Sequence, residues 1–155
     1  MRDQRFVAEH RGGTLTKAQH RLLMAWSCKC VEHVLPLLGE PIDDRLKYAL
    51  LIAKKWEKGE VKTGEAMKAS VGAHATAREY SDKTKIAVAR AIGHAVATAH
   101  MADHSLGGAL YALKALKNAG GSVDDERKWQ KRRIPVGLKE LVLETLDIKW
   151  KLLLR

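Results

Sequence analysis

The sequence predicts an all-α fold, and three observations carry that expectation. Apolar residues recur at intervals of three and four along much of the chain, in runs opened by capping residues and closed by glycine or proline. Strand signals are nearly absent, with no alternating β-branched run and no Asn-Gly or Asp-Gly turn. Aromatics make up only 5% of the residues while alanine is abundant, which favours slender, closely spaced helices over a β-sandwich core. A length of 155 residues suits one domain with a sizeable core. The expectation is one all-helical domain over 1–155, a compact bundle of six or seven helices, with stacked helical hairpins as the open variant.

Residues 1–13 carry no helical pattern and are expected to be extended or poorly ordered. Thr16 and Gln19 have the spacing of a capping box, so a first helix starts there. Leu22, Leu23, Trp26, Cys30, Val34 and Leu37 then mark a buried face, and Pro36 and Pro41 end or kink the helix near Leu38. Asp43 or Asp44 caps a second helix, whose stripe of Leu46, Ala49, Leu50, Ala53 and Trp56 or Lys54 runs to Gly59. Thr63 starts a third, with Glu65 well placed against the positive end of its dipole. Ala66, Ala69, Ser70, Ala73, Ala77 and Tyr80 give that helix a small-residue face.

Ser81 and Asp82 cap a fourth helix, through Ile86, Ala89, Ile92, Val96 and Ala99 towards His100. Ser105 is the expected cap of a fifth, Leu106 to Lys117, closed by Gly120-Gly121. Ser122 to Arg133 reads as a sixth, bounded by Ile134-Pro135, since a residue before proline avoids the helical region. Leu138, Leu141, Val142, Leu146 and Leu153 mark a seventh. The connections are two to six residues long, as between packed helices.

The net charge of +10 is spread evenly, an excess of +5 in residues 1–78 and +5 in 79–155. The one local cluster is "ERKWQKRR", in which Arg127, Lys128, Lys131, Arg132 and Arg133 surround Trp129. An aromatic among cations is the pattern of a single-strand stacking site, so this helix is a candidate interaction patch for nucleic acid or an acidic partner. The plainer reading is that Trp129 anchors the helix while its neighbours are solvated. No run of apolar residues is long enough for a membrane span, and "MRDQRFVAEHRGG" lacks the apolar core of a secretory signal, so a cytoplasmic protein is expected. Cys28 and Cys30 sit two apart, about 200° around a helix, and neither pair nor chelate together. They read as reduced thiols.

The unusual stretch is "GHAVATAHMADHSLGG", residues 93–108. On a continuous helix His100 and His104 would lie about 40° apart and Asp103 about 60° from His100, so the three would share a face. "HMADH" then has the form of an inverted zinc-peptidase motif with Asp for Glu, and zinc would need a third ligand, for which Glu140 and Glu144 are the carboxylates to hand. Against this, Ser105 and Gly107-Gly108 mark a break near His104, where helical spacing lapses. The structural alternative starts from the run of alanines from Ala87 to Ala102, which lets neighbouring helices come close. A buried break between two such helices leaves carbonyl and amide groups without partners, and the histidines and Asp103 would satisfy them. The third reading makes His33, His74, His94, His100, Asp103 and His104 a surface for a partner. His74 approaches His94 if the third and fourth helices form a hairpin. His33 is expected to be a core histidine on a neighbouring carbonyl, and His10 and His20 to be exposed or marginal.

The segments "RFVAEHRGGTLTKAQHRLLMAW", "EHVLPLL", "GHAVATAHMADHSLGGALYALKA" and "ERKWQKRRIP" together frame Arg5 to Pro135. In these segments the chain resembles the immunity proteins of bacterial polymorphic toxin systems, specifically the five-like immunity domain. That resemblance implies a small all-α bacterial protein that binds and neutralises a toxin domain. It supplies no catalytic residues and no cofactor; the recurrent polar positions fall on His33, His94, His100, Asp103 and His104. A chain this basic is no acidic mimic of nucleic acid, so a toxin that is a nuclease would be met away from its cleft. The functional expectation is a non-enzymatic binding protein with a cognate toxin as partner. A basic nucleic-acid-binding module and a zinc hydrolase are the alternatives.

Overall fold

A computed structural model of the protein describes residues 3–153. Seven helices form α1 (Lys17–Val34), α2 (Asp44–Glu57), α3 (Thr63–Glu79), α4 (Lys83–Ala97), α5 (His104–Asn118), α6 (Val123–Arg132) and α7 (Lys139–Leu153). Among the described residues there is no strand, only an isolated bridge between Ala8 and Leu15. None of the helices is long and apolar enough to cross a membrane.

Most helix starts are where local chemistry puts them. Thr16 and Gln19 complete both halves of the capping box, with Gln19 N–H donating to Thr16 Oγ1 at 3.1 Å and Thr16 N–H to Gln19 Oε1 at 2.9 Å. Asp43, Asp82 and Ser122 each accept a backbone N–H of the first turn they precede. After Val34 the chain tightens into a 3-10 turn, Leu35–Leu38, with Pro36 near its start.

The N-terminal segment differs from its expectation. Residues 1–2 lie outside the described residues, but the rest is neither extended nor loose: 3-10 turns form at Gln4–Phe6 and Glu9–Arg11, and Phe6 and Val7 are buried. Phe6 and Leu15 join the apolar cluster formed by α5 and α7, so a segment without helical periodicity is held by two well-spaced anchors.

Two hydrophobic clusters share α1. Met24, Cys28, Val31 and Val34 face α2, α3 and α4, while Leu23, Trp26 and Cys30 face α5, α7 and the N-terminal segment. The two cysteines therefore point into different cores, as their spacing required; both are free and buried. Leu22 is exposed and Ser27 wholly buried, the reverse of the expected stripe, because a helix covered on two sides hides residues that a single-faced reading would leave in water.

From α2 to α5 each helix packs on the next, and α1 lies against α2, α4 and α5. Short links between touching neighbours make successive helices reverse direction. The α4 alanines Ala87, Ala89, Ala91 and Ala95 are all buried, so this helix is enclosed on most of its circumference. α6 is clasped by polar contacts: Trp26 Nε1 donates to Gln130 O and Gln130 Nε2 donates to Ala109 O, each at 3.0 Å.

The approach of α1 to α5 depends on Gly108, where a Cβ would lie 2.1 Å from Ser27 Oγ. Gly108→Ala is expected to destabilise the fold by about 1–3 kcal/mol, read as a lower urea midpoint. Adding Ser27→Ala should restore part of the loss. An unchanged midpoint for Gly108→Ala would mean that the two helices have room to spare.

Candidate functional site

The histidine-rich stretch is a joint. α4 ends at Ala97, residues 98–103 turn, and α5 begins at His104. The face expected to bring His100, Asp103 and His104 together therefore does not form, since no helix runs through them. Among the described residues no group of three His, Cys, Asp or Glu side chains is arranged to hold a metal ion. Glu140 is exposed, and Glu144 accepts a hydrogen bond from Arg5 at 3.1 Å.

Carbonyls in the joint and in the helices beside it do find partners, but mostly from side chains outside the predicted set. His20 of α1, expected at the margin, is buried; its Nε2 donates to Thr98 O, and its ring leans on Trp56 with centroids 4.9 Å apart. Ser27 Oγ donates to Ser105 O at 2.9 Å, Ser105 Oγ to Ala102 O at 2.6 Å, and Ser70 Oγ to Gly93 O at 2.9 Å. Asp103 stands at the N-cap of α5 but its side chain does not cap it, and Ser105 lies inside the first turn. The signal for Ser27 was in the sequence: it falls one turn from Leu23 and Cys30, in the middle of an apolar stripe.

Beside the joint three imidazoles do meet. His74 of α3 packs edge-on against His94 of α4 at 5.3 Å, as a hairpin of those helices implied, and His94 lies 5.5 Å from His104 at the start of α5. His94 also stacks on Tyr111 at 5.0 Å with the rings 10° from parallel. Two glycines make room: a Cβ on Gly93 would lie 2.6 Å from His74 Nε2, and one on Gly107 2.8 Å from the His94 ring.

Two of these rings, His74 and His94, favour the neutral form. Arg90 donates to His74 Nδ1 at 2.8 Å, which requires a lone pair on that nitrogen. Burial lowers the pKa of His74, and the charges of Arg90 and Arg78 and the neighbouring His104 lower it further. His94 falls to about 4, through burial first, then His74 and His104, then Arg90 and Lys149. His94 Nδ1 and His104 Nδ1 are 3.4 Å apart, so a hydrogen bond between them needs one N–H and one lone pair. A His74–His94 pair that resists protonation and is wedged between helices acts chemically as packing.

His33 and the basic helix α6 form a separate constellation. His33 is not in the core: it is exposed, its Nδ1 lies 2.6 Å from Glu126 Oε2, and its ring stacks on Trp129 at 3.7 Å and 3°. Arg133 lies 3.9 Å from the Trp129 ring centre, and two groups this close must occupy opposite faces. Both faces on which a base would stack are thus filled by the protein's own side chains. The anchor of α6 is Gln130, wholly buried, and not Trp129. The charge run also divides. Arg127 pairs with Asp147 at 2.7 Å and lies over Trp150, Lys131 reaches Asp147 at 3.4 Å, and Lys128 and Arg132 point to solvent.

A family model described as "Imm-5 like putative immunity protein" matches residues 13–136. The chain belongs to that Imm-5 like family. No curated protein and no solved structure matches it. The span of the Imm-5 like match takes in α1 to α6, and with them the joint, the imidazoles and the Trp129 stack; the first two 3-10 turns and α7 lie outside it.

In this Imm-5 like chain the neutral His94 couples stability to pH. The unfolded ring, with its ordinary value of 6.5, takes up a proton that the folded ring refuses until about pH 4. This contribution is therefore complete above pH 6.5 and is lost as the pH falls towards 4. It is on the order of 2 kcal/mol after a discount for partial exposure. Urea unfolding from pH 7 down to pH 4 should show a loss of about that size in the wild type beyond that in His94→Gln. Identical slopes in the two proteins would contradict the assignment.

Proposed function

We propose that this protein neutralises a cognate toxin by binding it directly, in the cytoplasm and without catalysis. The observation that carries this reading is the Imm-5 like match over residues 13–136. The state of the side chains supports it. His20 serves a backbone carbonyl, His33 a carboxylate and an indole, and His74 a guanidinium. General acid–base catalysis needs a group that reaches substrate and exchanges a proton near the working pH, and these imidazoles are committed to internal contacts. The net charge of +10 suits a partner with an acidic face.

Binding and catalysis differ in stoichiometry. Purified protein should abolish the activity of the toxin domain encoded beside its gene with an equimolar end point, and co-expression should rescue cells which that domain kills. Equal killing with and without the protein overturns the reading. Neutralisation by far less than equimolar protein overturns its non-catalytic part.

A further inference from the structure

On the outer side of the histidine joint, a cavity of about 780 Å³ is lined by the N-terminal turns, the start of α1, the α2–α3 turn and the joint residues Ala99 and His100. Its volume falls in the range of pockets that bury a ligand. Arg11, Lys17, Arg21 and Lys62 line it, with Glu9 as its one carboxylate. Among the described residues none of these four cations forms an ion pair, whereas Arg5, Arg45, Lys54, Arg127 and Lys131 each meet a carboxylate elsewhere. The basin therefore carries an excess of positive charge.

One further feature points the same way. Lys62 stands at the N-cap of α3, and no side chain caps that helix. The Thr63 hydroxyl next to it is engaged by Trp56 Nε1 at 3.2 Å. The positive end of a 17-residue helix therefore opens at the rim with its first N–H groups uncapped. His100 of the α4–α5 joint also lines the cavity.

We infer that this basin is the docking site for an acidic segment of the protein partner, whose carboxylates meet Arg11, Lys17, Arg21 and Lys62. The inference rests on the immunity reading for the identity of that partner, but the basin's chemistry can be tested without it. A carboxylate-rich segment suits the arrangement better than a lone phosphate. The four cations come from a 3-10 turn, helix and loop positions spread around the opening, and Arg11, Lys17 and Lys62 are exposed. Separate carboxylates along a peptide can each meet one of them, and attraction over a wide rim also speeds encounter.

The first probe is a hexaglutamate peptide titrated into isotope-labelled protein at low salt. The Trp56 indole and the amides of Lys62, Thr63 and Gly64 should shift. Lys17→Glu/Lys62→Glu should weaken binding by at least about tenfold, and both substitutions fall on exposed positions, so the melting midpoint should hold. Shifts centred on Lys128 and Arg132, no shift at all, or tighter binding of ATP or inorganic phosphate at the same place would overturn the inference. The second probe is protection against the neighbouring toxin, which Lys17→Glu/Lys62→Glu should lose and Lys128→Glu/Arg132→Glu should keep. If the wild type protects and the basin variant protects equally, the docking site is wrong and the immunity reading stands. If the wild type fails to protect while hexaglutamate still maps to the basin, the immunity reading fails and the acidic-segment site survives.

Discussion

Residues 98–103 take the chain around a turn in the interior, where each backbone carbonyl without a donor costs about 1–3 kcal/mol. α4 and α5 cannot supply those donors, because the turn is where their own ladders stop. α1 supplies one of them, His20 to Thr98 O, and adds a second bond from Ser27 to Ser105 O in the first turn of α5, so these contacts fix α1 against the joint and α5 at once. The glycine at 108 and the alanines of α4 follow from the same requirement: donors this short reach a buried carbonyl only if the backbones nearly touch. The imidazoles of His74 and His94 occupy the space left beside that contact, which explains why aromatic rings sit in a helix layer otherwise lined by methyl groups.

The helices were largely legible because most starts are local chemistry. Thr16 with Gln19, Asp82 and Ser122 announce their helices within a four-residue window. The idea of a polar joint between α4 and α5 was legible too, from the glycines and serine that interrupt the pattern. What could not be read was who would satisfy it. His20 and Ser27 are remote in sequence from the carbonyls they serve, so even Ser27, whose place on the apolar face marks it as buried, could not be matched to its acceptor. His33 went astray for the same reason: its partners Glu126 and Trp129 lie on α6, far along the chain.

Charge was the least legible property. The run from Glu126 to Arg133 looked like a surface patch, yet helical phase hands Arg127 and Lys131 to Asp147 and Arg133 to Trp129, leaving Lys128 and Arg132 in water. The unpaired cations that do share a concavity come from Arg11, Lys17, Arg21 and Lys62, where no local density of positive charge marks the sequence. A linear count registers excess charge; only the folded chain decides which of it is cancelled.

Cys28 and Cys30 lie in separate apolar cores, and burial pushes the Cys28 thiol up to about 12 and the Cys30 thiol well above its ordinary value. Attack on a disulfide or a peroxide requires a thiolate, and neither sulfur forms one at neutral pH. Burial in separate cores thus keeps the two cysteines apart and unreactive towards one another.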